Sequence, residues 1–179
     1  LIRPPTYQQH YSIPESYGAA VQVLRLKEEN GFLPDLEELR ALATPETKLI
    51  AINNPNNPTG TMMGSADFHH LITNLPNHVL LIADEVYCHF VTDPDYPNAI
   101  PYILDGHNII SIQSFSKAYG MAGLRAGYAI ARPEIASYIA GFQRGFHQNR
   151  IAHVAILAAL QDQDHLWENV RVALEGKEW

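Results

Sequence analysis

Cys88 is the one cysteine among 179 residues. That excludes an internal disulfide framework and any paired-cysteine metal or redox site. No apolar run reaches the roughly 18–20 residues that span a bilayer. The opening Leu1-Ile2-Arg3-Pro4-Pro5 has no hydrophobic stretch of the kind a secretory leader needs. Positive charge is scarce, with Lys+Arg at 12 against Asp+Glu at 19 and a formal charge of -7. Such a balance offers no electrostatic footprint for nucleic acid and no polybasic surface for anionic lipid. Repeats, low-complexity tracts and linkers are absent as well. The expectation is a soluble protein of a reducing compartment, the cytoplasm, with no nucleic-acid or membrane partner.

What is present is a chain that is 46% hydrophobic, enough for one domain with a real core. Both ends read as cut. The chain begins at Leu1 rather than Met, and it ends at Trp179 directly after an amphipathic helical pattern. The first two apolar residues read as the stub of a strand. Further on, apolar runs alternate with helical patterns. Strands are predicted over 21–26, 48–52, 79–83, 108–113 and 127–131. Helices are predicted over 35–43, from Ser65 as N-cap to about 75, from Pro133 to about 143, over 151–160 and over 166–174. The alternation predicts the α/β class: three αβα layers around a mostly parallel sheet.

Ligands on such sheets bind at the carboxyl ends of strands. The unusual polar runs fall there. Ser114-Phe115-Ser116-Lys117-Ala118-Tyr119-Gly120 follows an apolar run. A lysine in this setting can be desolvated, which makes its amine a nucleophile toward an aldehyde. The hydroxyls of Ser114 and Ser116 can donate to a phosphate, and Arg125 offers a fork suited to phosphate oxygens. A plain strand-end lysine with hydroxyl caps would read the same way. Asp84, within Ala83-Asp84-Glu85-Val86-Tyr87, ends another apolar run, so its carboxylate needs a cationic or hydrogen-bonding partner. A pyridinium N–H is one such partner, and backbone amides are another. Asn53–Gly60 is rich in turn residues, and its Asn57 can aim an amide at a ligand from a rigid base.

Together the runs NNPNNPTG, ADEVY and SFSKAYGMAGLRAGY, in that order, resemble the large domain of the class I/II aminotransferases. These are fold-type I enzymes that depend on pyridoxal 5′-phosphate (PLP). The resemblance covers nearly the whole chain, and the PPTY opening is similar to the histidinol-phosphate aminotransferase branch. It implies that Lys117 holds PLP as a Schiff base and later serves as the base for a proton shift. It implies that Asp84 pairs with the pyridine nitrogen and that Asn57 and Tyr87 hydrogen-bond the phenolate oxygen. Ser114, Ser116 and Arg125 fall at the phosphate positions, and Tyr7 at that of the aromatic residue stacked on the ring. Residues 1–179 are then a PLP-binding large domain truncated at both ends, with about 150–179 leading toward a missing small domain. The family's upstream phosphate loop and its downstream substrate-carboxylate arginine fall outside the matched stretch.

The implied activity is transfer of an amino group between an amino acid and a 2-oxo acid, in a homodimer when full length. Two alternatives stay open: a PLP-dependent lyase of β-elimination type, and a catalytically inactive PLP-binding fragment. Other residues are set aside. His69 and His70 are adjacent on a predicted helix and face different ways, and the remaining histidines are scattered, so no metal site is expected. Cys88, His89 and Glu85 read as packing or structural groups, with Glu85 projecting opposite to Asp84. Arg150 reads as a helix-end residue, and Trp167 and Trp179 as helix packing or tail. The Gly120–Gly123 spacing is not a dinucleotide fingerprint.

Overall fold

The apolar runs and helical patterns become thirteen elements among residues 2–3, 5–143, 145 and 148–177, which the computed structural model describes. The order begins β1 (Ile2–Arg3), α1 (Gln9–Ser16), β2 (Leu24–Arg25), α2 (Leu36–Leu42) and β3 (Leu49–Asn53). It continues α3 (Ser65–Asn74), β4 (Leu80–Asp84), α4 (Ala99–Leu104), β5 (Ile109–Ser114) and β6 (Gly127–Ala131). Last come α5 (Pro133–Gly141), α6 (Arg150–Gln161) and α7 (Gln163–Gly176). His147, one of the scattered histidines, and Trp179 lie outside the described residues.

The main sheet has the order β3-β4-β5-β6. β3, β4 and β5 run parallel, and β6 runs antiparallel to β5. A parallel neighbour needs a crossover, usually a helix. The link from β5 to β6 holds only a short 3-10 turn, Ala122–Leu124, so the chain simply returns. β1 and β2 form a separate parallel pair.

Alternation along the strands sorts residues onto two faces. Ile50, Ile52, Leu81, Ala83 and Ile109 share one face and are closed over by Leu39, Phe68, Leu71, Ile72, Ala99 and Ile103 of α2, α3 and α4. The other face carries Leu80, Ile82 and Ile112, which stay only half-buried, and the exposed Ala129. Its polar end is reached by His10 of α1. A second cluster joins Phe115, Ala118 and Tyr119 to Ala152 of α6 and to Leu166 and Val170 of α7. The α/β class and the mostly parallel sheet are as expected, with the two faces covered unequally.

Local chemistry explains the helix starts. The Asp35 carboxylate accepts from the amides of Glu37 and Glu38, both at 3.0 Å. Asn98, Asn149 and Asp162 cap α4, α6 and α7 in the same way. Pro133 occupies the first turn of α5. Two expectations need correction. Ser65 is the first residue of α3 rather than its cap, which is Gly64, and its hydroxyl donates to Asp95 instead. The strand expected over 21–26 shrinks to Leu24–Arg25, because only β1 lies beside it.

Leu81 is fully enclosed and Asp35 is a surface cap. Leu81→Ala should therefore cost about 2–5 kcal/mol and Asp35→Ala about 0.5–2 kcal/mol, read from urea denaturation midpoints. Equal losses would mean that the α2–α4 face is not a closed core.

Candidate active site

Three parallel strands end at one edge of the sheet, and the register decides what meets there. Asn53 lies beside Asp84, and Asp84 beside Ile112. Asn53, Asp84 and Ser114, two residues past Ile112, therefore share one face at one end. β6 starts at this same edge because it runs the opposite way, and its Gly127 pairs with Ser114. The amide of Phe115 donates to the carbonyl of Ala126 at 3.2 Å, which brings Arg125 beside the Ser114–Lys117 turn.

The loop after β3 is built from its own asparagines. Asn53 Nδ2 donates to the Asp84 carbonyl at 3.1 Å, and Asn53 Oδ1 accepts from the Asn57 amide at 2.8 Å. Asn54 clips Met63 through both its amide groups, at 2.8 and 3.2 Å. Both Asn–Pro bonds here, Asn54–Pro55 and Asn57–Pro58, are cis. Asn57 Nδ2 donates to the Tyr87 hydroxyl, 3.1 Å away. Asn57 and Tyr87 thus stand side by side although 30 residues separate them.

Lys117 sits in a tight turn. The Gly120 amide donates to the Lys117 carbonyl at 2.9 Å, and Gly120 takes a positive φ of 68° that suits glycine. Lys117 Nζ stands over the Tyr87 ring, 5.0 Å from its centroid. Ser114 Oγ accepts from the Ser116 amide at 3.0 Å, which leaves the Ser114 hydroxyl proton for a ligand. Arg125 is exposed, with a φ of 55°, and Nη1 donates to the Ala122 carbonyl at 2.9 Å. Lys117 is exposed rather than desolvated, which corrects the sequence expectation.

Asp84 is only 6% exposed. Its Oδ2 accepts from His10 Nε2 at 2.9 Å, and its Oδ1 takes the Val86 amide at 3.3 Å. His10 is the residue that sequence reasoning missed. A carboxylate accepts, so Nε2 carries the proton, and the buried Nδ1 has no partner among the described residues. The ring of Tyr7 meets His10 edge-on, with centroids 5.6 Å apart. Tyr7 is therefore brought to the same edge through His10. The available signal was spacing, since three residues on a helical path place Tyr7 and His10 on one side.

Glu85 points the other way, as expected, and is 4% exposed. Its carboxyl accepts from the Ser111 hydroxyl, and from the Tyr96 hydroxyl and the Ala99 amide at 3.4 Å each. Burial pushes the Glu85 carboxyl above its usual range, and the three donors oppose that rise. Cys88 is pushed up to about 11, mainly by burial and then by Glu85. It donates to Gln113 Oε1 at 3.2 Å, and His89 packs edge-on to Tyr119 with centroids 5.4 Å apart. Burial lowers the His89 imidazole. His69 contacts the Tyr102 hydroxyl at 3.2 Å, and His70 contacts Asn74 at 3.3 Å. Among the described residues no three histidine, cysteine or acidic side chains converge as metal ligands. Arg150 starts α6 as an exposed residue, and Trp167 is exposed on α7.

Comparison with known proteins adds a wider frame. The family described as "Aminotransferase class I and II" matches residues 1–175. A histidinol-phosphate aminotransferase of Moorella thermoacetica is 37% identical, over 100% of this chain and 46% of its own length. Among solved structures, histidinol-phosphate aminotransferase from Sinorhizobium meliloti, in complex with pyridoxal-5′-phosphate, superposes with a TM-score of 0.85. It is 30% identical, and the match covers 94% of this chain and 45% of that one. Aspartate aminotransferase from Thermus thermophilus with maleate gives a TM-score of 0.87 at 28% identity, over 97% of this chain and 46% of that one. The chain thus spans a little under half the length of the relatives it matches.

The raised Glu85 carboxyl carries a pH signature. A carboxyl raised on folding binds its proton more tightly in the folded state than in the unfolded one. Its contribution is full below the ordinary value of 4.5 and is lost as pH rises through the folded value. Glu85→Gln has no such proton. Its melting temperature relative to wild type should climb as pH goes from about 4 to about 7, measured by thermal denaturation across that range. A flat difference would mean that burial does not raise Glu85.

Proposed function

Because the chain belongs to the class I and II aminotransferases, we propose that it is the cofactor-binding portion of a PLP-dependent aminotransferase. The observation that carries this reading is the convergence of Asp84, the Asn57–Tyr87 pair and Lys117 at one strand edge. The donor set suits PLP group by group: an amine for its aldehyde, a carboxylate for its ring nitrogen, two donors for its phenolate oxygen, and hydroxyls with a guanidinium for its phosphate. When bound, PLP supplies an electron sink for a deprotonated amino-acid α-carbon.

The chain's own residues do the rest. The Lys117 amine would hold the cofactor through its aldehyde, and the same amine is placed to serve as the base for the proton at the substrate α-carbon. Asp84 would accept from the ring N–H and favour its protonated form, with His10 holding Oδ2 and orienting the carboxylate. Asn57 and Tyr87 would donate to the phenolate oxygen, Ser114, Ser116 and Arg125 would hold the phosphate, and Tyr7 would supply an aromatic face for the ring.

Residues 1–179 make up most of a large domain in this reading, and α6 and α7 lead toward a second domain. The substrates are an amino acid and a 2-oxo acid, and histidinol phosphate is the amino compound that the relatives' name brings forward. The full protein works as a homodimer in the cytoplasm, without nucleic-acid or membrane partners. Among the described residues no helix is long and apolar enough to cross a membrane. The exposed Lys117 favours a second reading for this chain alone: it binds PLP without efficient turnover. A lyase outcome would draw on the same lysine and aspartate.

PLP added to the chain should give a visible absorbance band that borohydride fixes onto Lys117. Lys117→Ala should abolish it, and retention of the band would sink the assignment. Asp84→Ala should weaken PLP binding by about tenfold or more, the scale of a hydrogen bond to a charged group. Stoichiometric conversion of bound PLP to pyridoxamine phosphate by an amino acid would identify turnover. Its absence, with PLP bound, would favour the binding-only reading for this chain.

A further inference from the structure

Glu85 takes no part in the chemistry above, yet it is the most enclosed carboxyl at this edge of the sheet. The sheet ladder continues through it, with its amide donating to the Ile112 carbonyl at 3.0 Å. Its side chain therefore leaves on the face opposite to Asp84, toward α4. There it meets Ser111 of β5, the first amide of α4 at Ala99, and the Tyr96 hydroxyl.

Tyr96 is the link to the cofactor edge. Its hydroxyl donates to the Asn54 carbonyl at 3.0 Å, and the same proton is shared with Glu85 Oε1 at 3.4 Å. Asn54 opens the loop that carries Asn57. The same residue donates its amide to the Asp84 carbonyl at 2.9 Å and clips Met63 across the loop. On the other side, the Glu85 carbonyl accepts from the Cys88 amide at 2.9 Å, closing the turn that carries Tyr87. Glu85, through its carboxyl to Tyr96 and its backbone carbonyl to Cys88, thus ties together the two segments whose tips present Asn57 and Tyr87.

We propose that Glu85 and Tyr96 are positioning residues for the cofactor: they fix the Asn57 loop against the Tyr87 turn and so set the hydrogen bonding of the PLP phenolate oxygen. The inference rests on the PLP reading above. Its physical content is a distance. The Asn57 amide and the Tyr87 hydroxyl are 3.1 Å apart, close enough to converge on one acceptor atom. A loop free to drift loses that convergence. Donors at the phenolate oxygen draw charge from it. Without them the oxygen holds the neighbouring imine proton more tightly, and the pH midpoint of the lysine–PLP absorbance change rises.

The test uses the chain as it stands, with PLP as the probe. Wild type, Tyr96→Phe, Glu85→Gln and Glu85→Ala are titrated with pH in the presence of PLP, and PLP dissociation constants are measured alongside. Tyr96→Phe keeps the ring and removes the hydroxyl. It should raise the midpoint by about half a pH unit or more, part of what losing a hydrogen bond to a charged group does, and weaken PLP binding several-fold. Glu85→Ala should do the same. Glu85→Gln keeps an acceptor for Tyr96 and Ala99, and its amide can donate to the Ser111 hydroxyl, so it should stay near the wild-type midpoint. Should Glu85→Ala fail to fold, Tyr96→Phe and Glu85→Gln still decide.

An unmoved midpoint and affinity in Tyr96→Phe overturns the inference while the PLP reading stands. A shift in Glu85→Gln as large as that in Tyr96→Phe also overturns it, because charge rather than position would then be acting. No lysine–PLP band in the wild type overturns the PLP reading, and this inference with it.

Discussion

Two neighbouring carboxylates are buried at the end of β4, and neither can be left without partners. A buried, unpaired carboxylate costs several kcal/mol, on the order of the whole stability of a domain. Strand geometry sends Asp84 and Glu85 to opposite faces, so each recruits its own set. Asp84 brings His10, and with it α1 and Tyr7. Glu85 brings Ser111, Tyr96 and the start of α4. Most of the contacts that define the candidate site descend from satisfying these two groups. The loop carrying Asn57 is held from both sides, through Asn53 to the Asp84 carbonyl and through Asn54 to Tyr96.

What could be read in the sequence follows the range of the signal. Continuous apolar runs announced β3, β4 and β5, because a strand covered on both faces must be apolar at nearly every position. α1 and α4 left no such trace. Pro14 sits inside α1, and α4 spans only Ala99–Leu104 with Pro101 in it. Both are set by tertiary contacts rather than by periodicity. The antiparallel return of β6 was hidden because strand direction depends on what the connection holds. Motif order placed Asn57, Asp84, Tyr87 and Lys117, and three strand ends bring them to one edge. His10 could not be found that way, since its partner lies 74 residues away and the PPTY run ends before it.

The two sheet faces have different standing. The α2–α4 face is closed by large apolar side chains, whereas the opposite face keeps Leu80, Ile82 and Ile112 only half-buried. Parallel sheets are ordinarily covered on both sides. The relatives matched here are about twice as long as this chain, which supplies 46% of the length of one of them. Exposed apolar side chains on the last helices, among them Ile151, Val154 and Leu157 of α6, belong with the same picture.

Exposure separates the candidate site into two kinds of residue. Asp84, Asn57 and Tyr87 owe their positions to strand register and to hydrogen bonds within the chain. Ser114 and Ser116 are half-buried, and Lys117 and Arg125 are exposed, although Ser114 shares the face of Asp84. The placement of Asp84, Asn57 and Tyr87 is therefore fixed by strand register and by partners far apart in the chain, whereas that of Lys117 and Arg125 is fixed by the local turns between β5 and β6.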